Sequence, residues 1–188
     1  MLDTALEFLQ AELKVYLLTQ TGSEVKVEMS KLADEAGKYA FELDSIAVSI
    51  INIEQDCTFK AQVPHHTYTK GQNVRLEPEL KLNLYVMFAA NFKQYNLALK
   101  YISYVLTYFQ SHPSFTSVEY PALDPLIEKL VPHLQSPSYE QLNQIWGSIG
   151  AKQLPSVIYK IQMVSIQSMV PTLIQPPVLE VNTNLHGQ

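Results

Sequence analysis

A chain of 188 residues, 47% hydrophobic and 16% charged, has enough apolar material for one packed domain, and its charged fraction is below the usual quarter. A net charge of −5 with a single arginine, Arg75, argues against a nucleic-acid binder, which needs a basic stripe to neutralise phosphates. The lone cysteine, Cys57, excludes an internal disulfide or a cysteine zinc cluster.

Eleven tyrosines and seven phenylalanines in so weakly charged a chain fit either a large aromatic core or protein–protein surfaces, where aromatics are enriched and charges depleted. The N-terminal stretch "MLDTALEFLQAELKVYLL" has neither the basic flank nor the small-residue cleavage site of a signal peptide. No apolar run approaches the roughly 18 residues of a membrane span. Together with the single cysteine, these features place the protein in a reducing cytoplasm.

In chain order, Leu2, Ala5, Leu6, Leu9, Leu13, Tyr16 and Leu17 repeat at helical spacing. Asp3 or Thr4 is placed to cap that helix and Gly22 to end it. "EVKVEMSKL" then alternates, with Val25, Val27 and Met29 on one face, as a strand with one wet side does. "SIAVSIINIE" is apolar on both faces and is expected to be a central strand. Residues 56–78, with Pro64, Gly71 and Pro78, read as a long loop or exposed hairpin with its tip near Lys70–Asn73; an insertion of that length is often functional. "LKLNLYVMFAANF" alternates again and is the strongest strand signal.

The helix expected over 94–111 has one narrow polar stripe, Asn96, Lys100, Ser103, Thr107 and Gln110. A helix on the outside of a monomer shows a broader polar face, so this one is expected to be covered on a second side, by a loop or a neighbouring subunit. Residues 128–135 read as an edge strand, because Pro125 and Pro132 interrupt a helical pattern. Ser136-Pro137 resembles a helix cap followed by proline at the first helical position, and Gly150 suits a left-handed helix end. A last strand carries Val157, Tyr159, Ile161 and Met163. The segment 168–188, rich in proline, reads as an extended or disordered arm beyond a domain at 1–167.

Catalytic groups are sparse. His65 and His66 are adjacent on an extended segment, where successive side chains point apart, and no carboxylate or cysteine sits nearby at ligand spacing. Ser156 follows a proline and is outside any G-x-S-x-G elbow. The six glycines are scattered and make no phosphate loop. No cofactor, metal or catalytic residue is assigned, and a non-enzyme is expected. The stretch "WGSIGAKQLPS" reads as a packing join between a helix and a strand, with Trp146, Pro155 and Tyr159 as structural residues.

The order of an N-L-Y strand (Asn83, Leu84, Tyr85), an F-x-x-Y-x-x-A-L helix start (Phe92, Tyr95, Ala98, Leu99), a lone-tryptophan helix (Trp146) and P-S-x-x-Y-K (Pro155, Ser156, Tyr159, Lys160) resembles the cap, or tail-terminator, proteins of extracellular contractile injection systems. The resemblance spans about residues 1–167. It implies an α+β single domain, a mainly antiparallel or mixed central sheet flanked by about three helices. It also implies a ring, hexameric in that family, at the distal end of tube and sheath, which stops their polymerisation. The partners implied are further copies of the chain and the inner tube and sheath proteins. The location implied is the bacterial cytoplasm during assembly and then a released particle. Candidate interface residues are Phe59, Lys60, Tyr68, Lys70 and Arg75 in the 56–78 segment, and Tyr104, Leu106 and Tyr108 on the 94–111 helix. An assembly adaptor or chaperone that never enters the particle, or an enzyme with an unrecognised site, are the other classes left open.

Overall fold

The computed structural model describes residues 1–56 and 81–163 in full, and 65–69, 72–76, 164–165 and 173–175 as backbone. The elements are α1 (Leu2–Thr21), β1 (Lys26–Met29), β2 (Ser45–Gln55), β3 (His65–Thr69), β4 (Gln72–Leu76), β5 (Lys81–Asn91), α2 (Tyr95–Ser111), β6 (Phe115–Thr116), β7 (Ile127–Gln135), α3 (Tyr139–Ile149), β8 (Ser156–Ser165) and β9 (Leu173–Gln175). Six strands form one sheet in the order β1-β2-β5-β8-β7-β6, and β3-β4-β9 form a second, three-stranded sheet. β1 runs parallel to β2, and the other neighbours in the large sheet are antiparallel. The fold is therefore α+β with a mixed sheet and three helices.

β5 shows why the molecule is layered. Leu84, Val86, Phe88 and Ala90 join one buried cluster with α1 and α2, while Met87 and Ala89 join another with Trp146 of α3. Side chains alternate across a strand, so a strand apolar at both parities must be covered on both faces. α1 contributes Ala5, Leu6, Leu9, Leu13 and Leu17 to the first cluster, and α2 contributes Ala98, Ile102, Val105 and Phe109. The same cluster holds a chain of aromatic contacts, with Phe88 5.2 Å from Phe109, Phe109 4.5 Å from Tyr159 and Phe8 5.5 Å from Phe115. Edge and tilted geometries of this kind add to the area buried.

On the opposite face Trp146, 3% exposed, packs with Leu32, Phe41, Ala47, Met87 and Ile158. A turn holds this helix down: Ala33 bridges to Tyr39, and the Tyr39 hydroxyl donates to the Lys152 carbonyl at 3.2 Å. Within that turn Gly37 has φ +73°, and a Cβ there would lie 2.8 Å from the Gly150 carbonyl oxygen. Gly150 itself caps α3 at φ 78°, a left-handed position that favours glycine. The "WGSIGAKQLPS" stretch is thus a helix end, a close approach and a strand entry, with the Ala90 amide donating to the Pro155 carbonyl at 2.9 Å. Pro155 is half-buried and Tyr159 is 4% exposed.

The structure differs from the sequence expectation at several ends. α1 begins at Leu2, with no side-chain cap from Asp3 or Thr4; the Thr4 hydroxyl instead donates to the Met1 carbonyl. α3 is capped by Ser138 rather than Ser136. The Gln141 amide donates to the Ser138 hydroxyl oxygen at 3.3 Å, and the Ser138 amide donates to Gln141 Oε1 at 2.9 Å, a reciprocal capping box. β7 spans the segment expected as an edge strand, but β6 pairs with it at Leu130 and Lys129, so only its C-terminal part is an edge among the described residues. β2 has neighbours on both sides only as far as Val48; beyond a bulge between Ile50 and Asn52 its residues are exposed. Met29, expected to be buried with Val25 and Val27, is 41% exposed where the chain leaves the sheet. Among the described residues no helix is long and apolar enough to cross a membrane.

Trp146→Ala removes the largest side chain of the second cluster and is expected to destabilise the fold by about 3–5 kcal/mol, as large-to-small core changes do, with Trp146→Phe costing much less. Chemical denaturation of the two variants checks this; equal midpoints for wild type and Trp146→Ala would show that the α3 face does not depend on the indole.

Candidate functional site

The candidate residues fall on two elements. In the 56–78 segment β3 pairs antiparallel with β4 from His65↔Leu76 to Thr69↔Gln72. Tyr68 lies opposite Asn73, and Arg75 lies opposite His66. On its other side β4 pairs with β9, placing Arg75 beside Leu173 and Asn73 beside Gln175. Phe59, Lys60, Lys70 and Cys57 lie outside the described residues. The proline-rich arm therefore contributes a strand to the hairpin, a pairing that no local pattern in either segment announces. The hairpin interrupts nothing in the large sheet, because β2 and β5 pair directly up to Gln55↔Leu82.

The second element is α2. Its inner positions are filled as the periodicity requires, and its outer stripe is exposed: Asn96, Lys100, Ser103, Thr107 and Gln110, with Tyr95 at 68% and Leu99 at 45% exposure. Among the described residues no loop covers this face. The Ser103, Thr107 and Ser111 hydroxyls donate back to the carbonyls four residues earlier, at 2.8, 2.9 and 2.9 Å. Back-bonded hydroxyls of this kind present little donor capacity outward. Tyr104 and Leu106 flank the stripe and are half-buried. Tyr104 packs edge-on against Tyr101, itself stacked on Phe92 at 4.6 Å, and Lys100 Nζ sits 5.8 Å from the Tyr104 ring centre.

Tyr108 is a correction to the sequence expectation. It is 2% exposed and packs against Tyr16, Phe109 and Phe115 inside its own domain, so it offers no surface to a partner. Its helical phase, shared with buried Val105 three residues earlier, turns it toward α1, where Tyr16 lies 5.0 Å from its ring. Burial, with the nearby Glu12 carboxylate and Tyr120, pushes its hydroxyl far above the ordinary phenol range, and that oxygen has no hydrogen-bond partner. Burial also raises the Tyr159 hydroxyl to about 12.

On the opposite face an open groove of about 880 Å³ runs between α3 and the sheet, lined by Leu32, Ile51, Tyr85, Gln141 and Ile145 among others. Lys31 is the one charged group in its lining. Among the described residues no group of three His, Cys, Asp or Glu side chains is placed to hold a metal ion. The groove brings together amides, hydroxyls and aliphatic surface, with no nucleophile-and-base pair.

The Pvc16 N-terminal domain family model matches residues 4–180. The chain belongs to the Pvc16 N-terminal domain family. The match runs through both sheets of this Pvc16-type domain, β9 included. Among solved structures, the PVC sheath/tube terminator of an extracellular contractile injection system, in its extended state, is similar with a TM-score of 0.65 at 14% identity; the likeness covers 100% of this chain and 64% of that one. The anti-feeding prophage cap, a tube-terminating cap, is similar with a TM-score of 0.59 at 15% identity, over 91% of this chain and 58% of that one. The chain thus spans less than two thirds of either structure. No curated protein sequence matches it. At these identities the likeness establishes a shared fold.

Tyr108→Phe is expected to leave stability unchanged or slightly raised, because the hydroxyl removed is buried without a partner. Leu106→Asp, at a half-buried flank, is expected to impair self-association. Thermal melts and light scattering of both variants separate the two; a Tyr108→Phe protein that folds normally but fails to associate would return Tyr108 to the interface.

Proposed function

We propose that the chain is the ring-forming cap module of a contractile injection particle, six copies seated at the distal end of tube and sheath to stop their polymerisation. The observation that carries this reading is the family match over residues 4–180, joined to a fold shared along the whole chain with a sheath/tube terminator. The weakly charged outer face of α2, with Tyr95 and Leu99 exposed, suits contact with protein rather than water alone. Enzymatic chemistry forms no part of this reading. The partners are further copies of the chain and the tube and sheath subunits, and the site of action is the assembled particle. In this reading the hairpin β3–β4, which holds Tyr68 and Arg75, touches the tube end or an adjacent subunit; tyrosine and arginine are favoured at interface hot spots.

Residues 1–167 form the terminator domain in this reading and 168–188 a C-terminal arm. The arm is tied to the hairpin through β9, so hairpin and arm act together.

Electron microscopy of the purified chain, with gold labelling of particles, tests the function. The expected result is closed rings of one symmetry and label at a single particle end. A monomer that is missing from purified particles would instead make the protein an assembly adaptor. Replacing residues 62–74 by a Gly-Ser bridge is expected to preserve the fold, because β2 and β5 keep their own pairing, and to give particles with uncapped or over-length tubes. Particles of normal, uniform length from that variant would remove the hairpin from the mechanism.

A further inference from the structure

The large sheet is six strands wide only on paper. β1 covers β2 from Ser45 to Val48, and β6 covers β7 at Lys129 and Leu130. Between these two short strands lie rungs that are four strands wide. Read across β2, β5, β8 and β7, they are Ile50–Val86–Tyr159–Leu134, Asn52–Tyr85–Lys160–His133, Ile53–Leu84–Ile161–Pro132 and Glu54–Asn83–Gln162–Val131. Among the described residues nothing pairs with the outer edge of β2 or of β7 on these rungs. The two open edges therefore sit on opposite sides of the sheet at the same height.

An open edge invites pairing with another chain, and stable monomers blunt such edges. This protein blunts β1: Gln10 Nε2 donates to the Val27 carbonyl at 2.6 Å, and Lys26 is held between Glu28 and Glu42. Among the described residues the middle rungs have no comparable backbone guard beyond Pro132, which removes one N–H from β7 and is tolerated on an edge strand.

We infer that copies of this chain join edge to edge, β2 of one against β7 of the next, so that the sheet continues from subunit to subunit. Two observations support this occupant. First, three antiparallel steps separate β2 from β7, so a neighbour laid down in the same orientation presents β7 antiparallel to β2, the pairing that four-strand rungs can extend. Second, Ile53 at 45% and Leu134 at 52% exposure stand at the two edges on the same face, the face that carries Leu84, Val86, Tyr159 and Ile161 in the main core. Joining the edges brings these apolar residues together and extends the core across the junction. Cross-strand apolar pairs are among the units that stabilise such a ladder. The contact is head to tail, and such a contact closes into a ring when its rotation permits. The inference rests on the ring reading above and names the surface that makes the ring.

The test is cross-linking of the full chain. With Cys57 replaced by serine, Asn52→Cys and His133→Cys are combined; both positions are exposed and occupy the same rung. A short bismaleimide reaches the directly opposite and the diagonal position, the latter about 7–8 Å away. The expected result is a ladder of covalent oligomers that stops at the ring's copy number, with neither single-cysteine variant advancing beyond background. Light scattering on the untreated protein separates the two layers of the argument. Assembly without cross-links above the single variants overturns edge pairing and leaves the ring standing. A ladder with no upper stop supports edge pairing and overturns closure. A protein that stays monomeric and uncross-linked overturns both.

Discussion

The whole architecture depends on one strand that is apolar on both faces. Leu84, Val86, Phe88 and Ala90 of β5 point one way, Met87 and Ala89 the other, and all are fully buried. Each buried aliphatic or aromatic side chain is worth about 1.5–3 kcal/mol relative to exposure, so neither face can be left to water. One face takes two helices and an aromatic network; the other takes a single short helix anchored by Trp146. The lighter covering of the second face has a consequence, because α3 shields only part of the sheet and leaves the groove and the polar rungs beside it open.

The secondary structure that follows from this constraint was largely legible. α1, β2, β5, α2, α3 and β8 announce themselves by period, since each buries one defined set of positions. The ends were less so. Ser136 and Ser138 both precede α3, and only the geometry of Gln141 three residues on picks Ser138 as the cap. Tyr108 looked like a surface aromatic because the apolar face of α2 is wider than one sheet needs. In fact α1 lies beside it and takes up the excess, with Tyr16 5.0 Å from the Tyr108 ring. The parallel sense of β1 and the pairing of β9 with β4 are long-range choices, and neither leaves a local signature.

The surfaces proposed for assembly could not be placed from the sequence. Low charge and abundant aromatics fit a large aromatic core as well as protein–protein surfaces, and the structural role came from the resemblance to terminator caps. In the proposed reading the contact surfaces are set by topology: where β1 ends against β2, where β6 ends against β7, and how those two ends align across the sheet. Ile53 and Leu134 are more than eighty positions apart in sequence and become related only through the shared rungs of β5 and β8. Hairpin β3–β4 with β9 is a separate small sheet of the same chain; in the proposed reading the open edges of the large sheet meet further copies and this small sheet meets other components.

The most direct measurement of the central claim is the length distribution of particles assembled with and without this chain, read by electron microscopy. The account predicts that loss of the chain produces tubes of broad, extended length with open distal ends, and that supplying it restores a narrow distribution. Particles of unchanged length, closed at both ends in its absence, would contradict a terminator role.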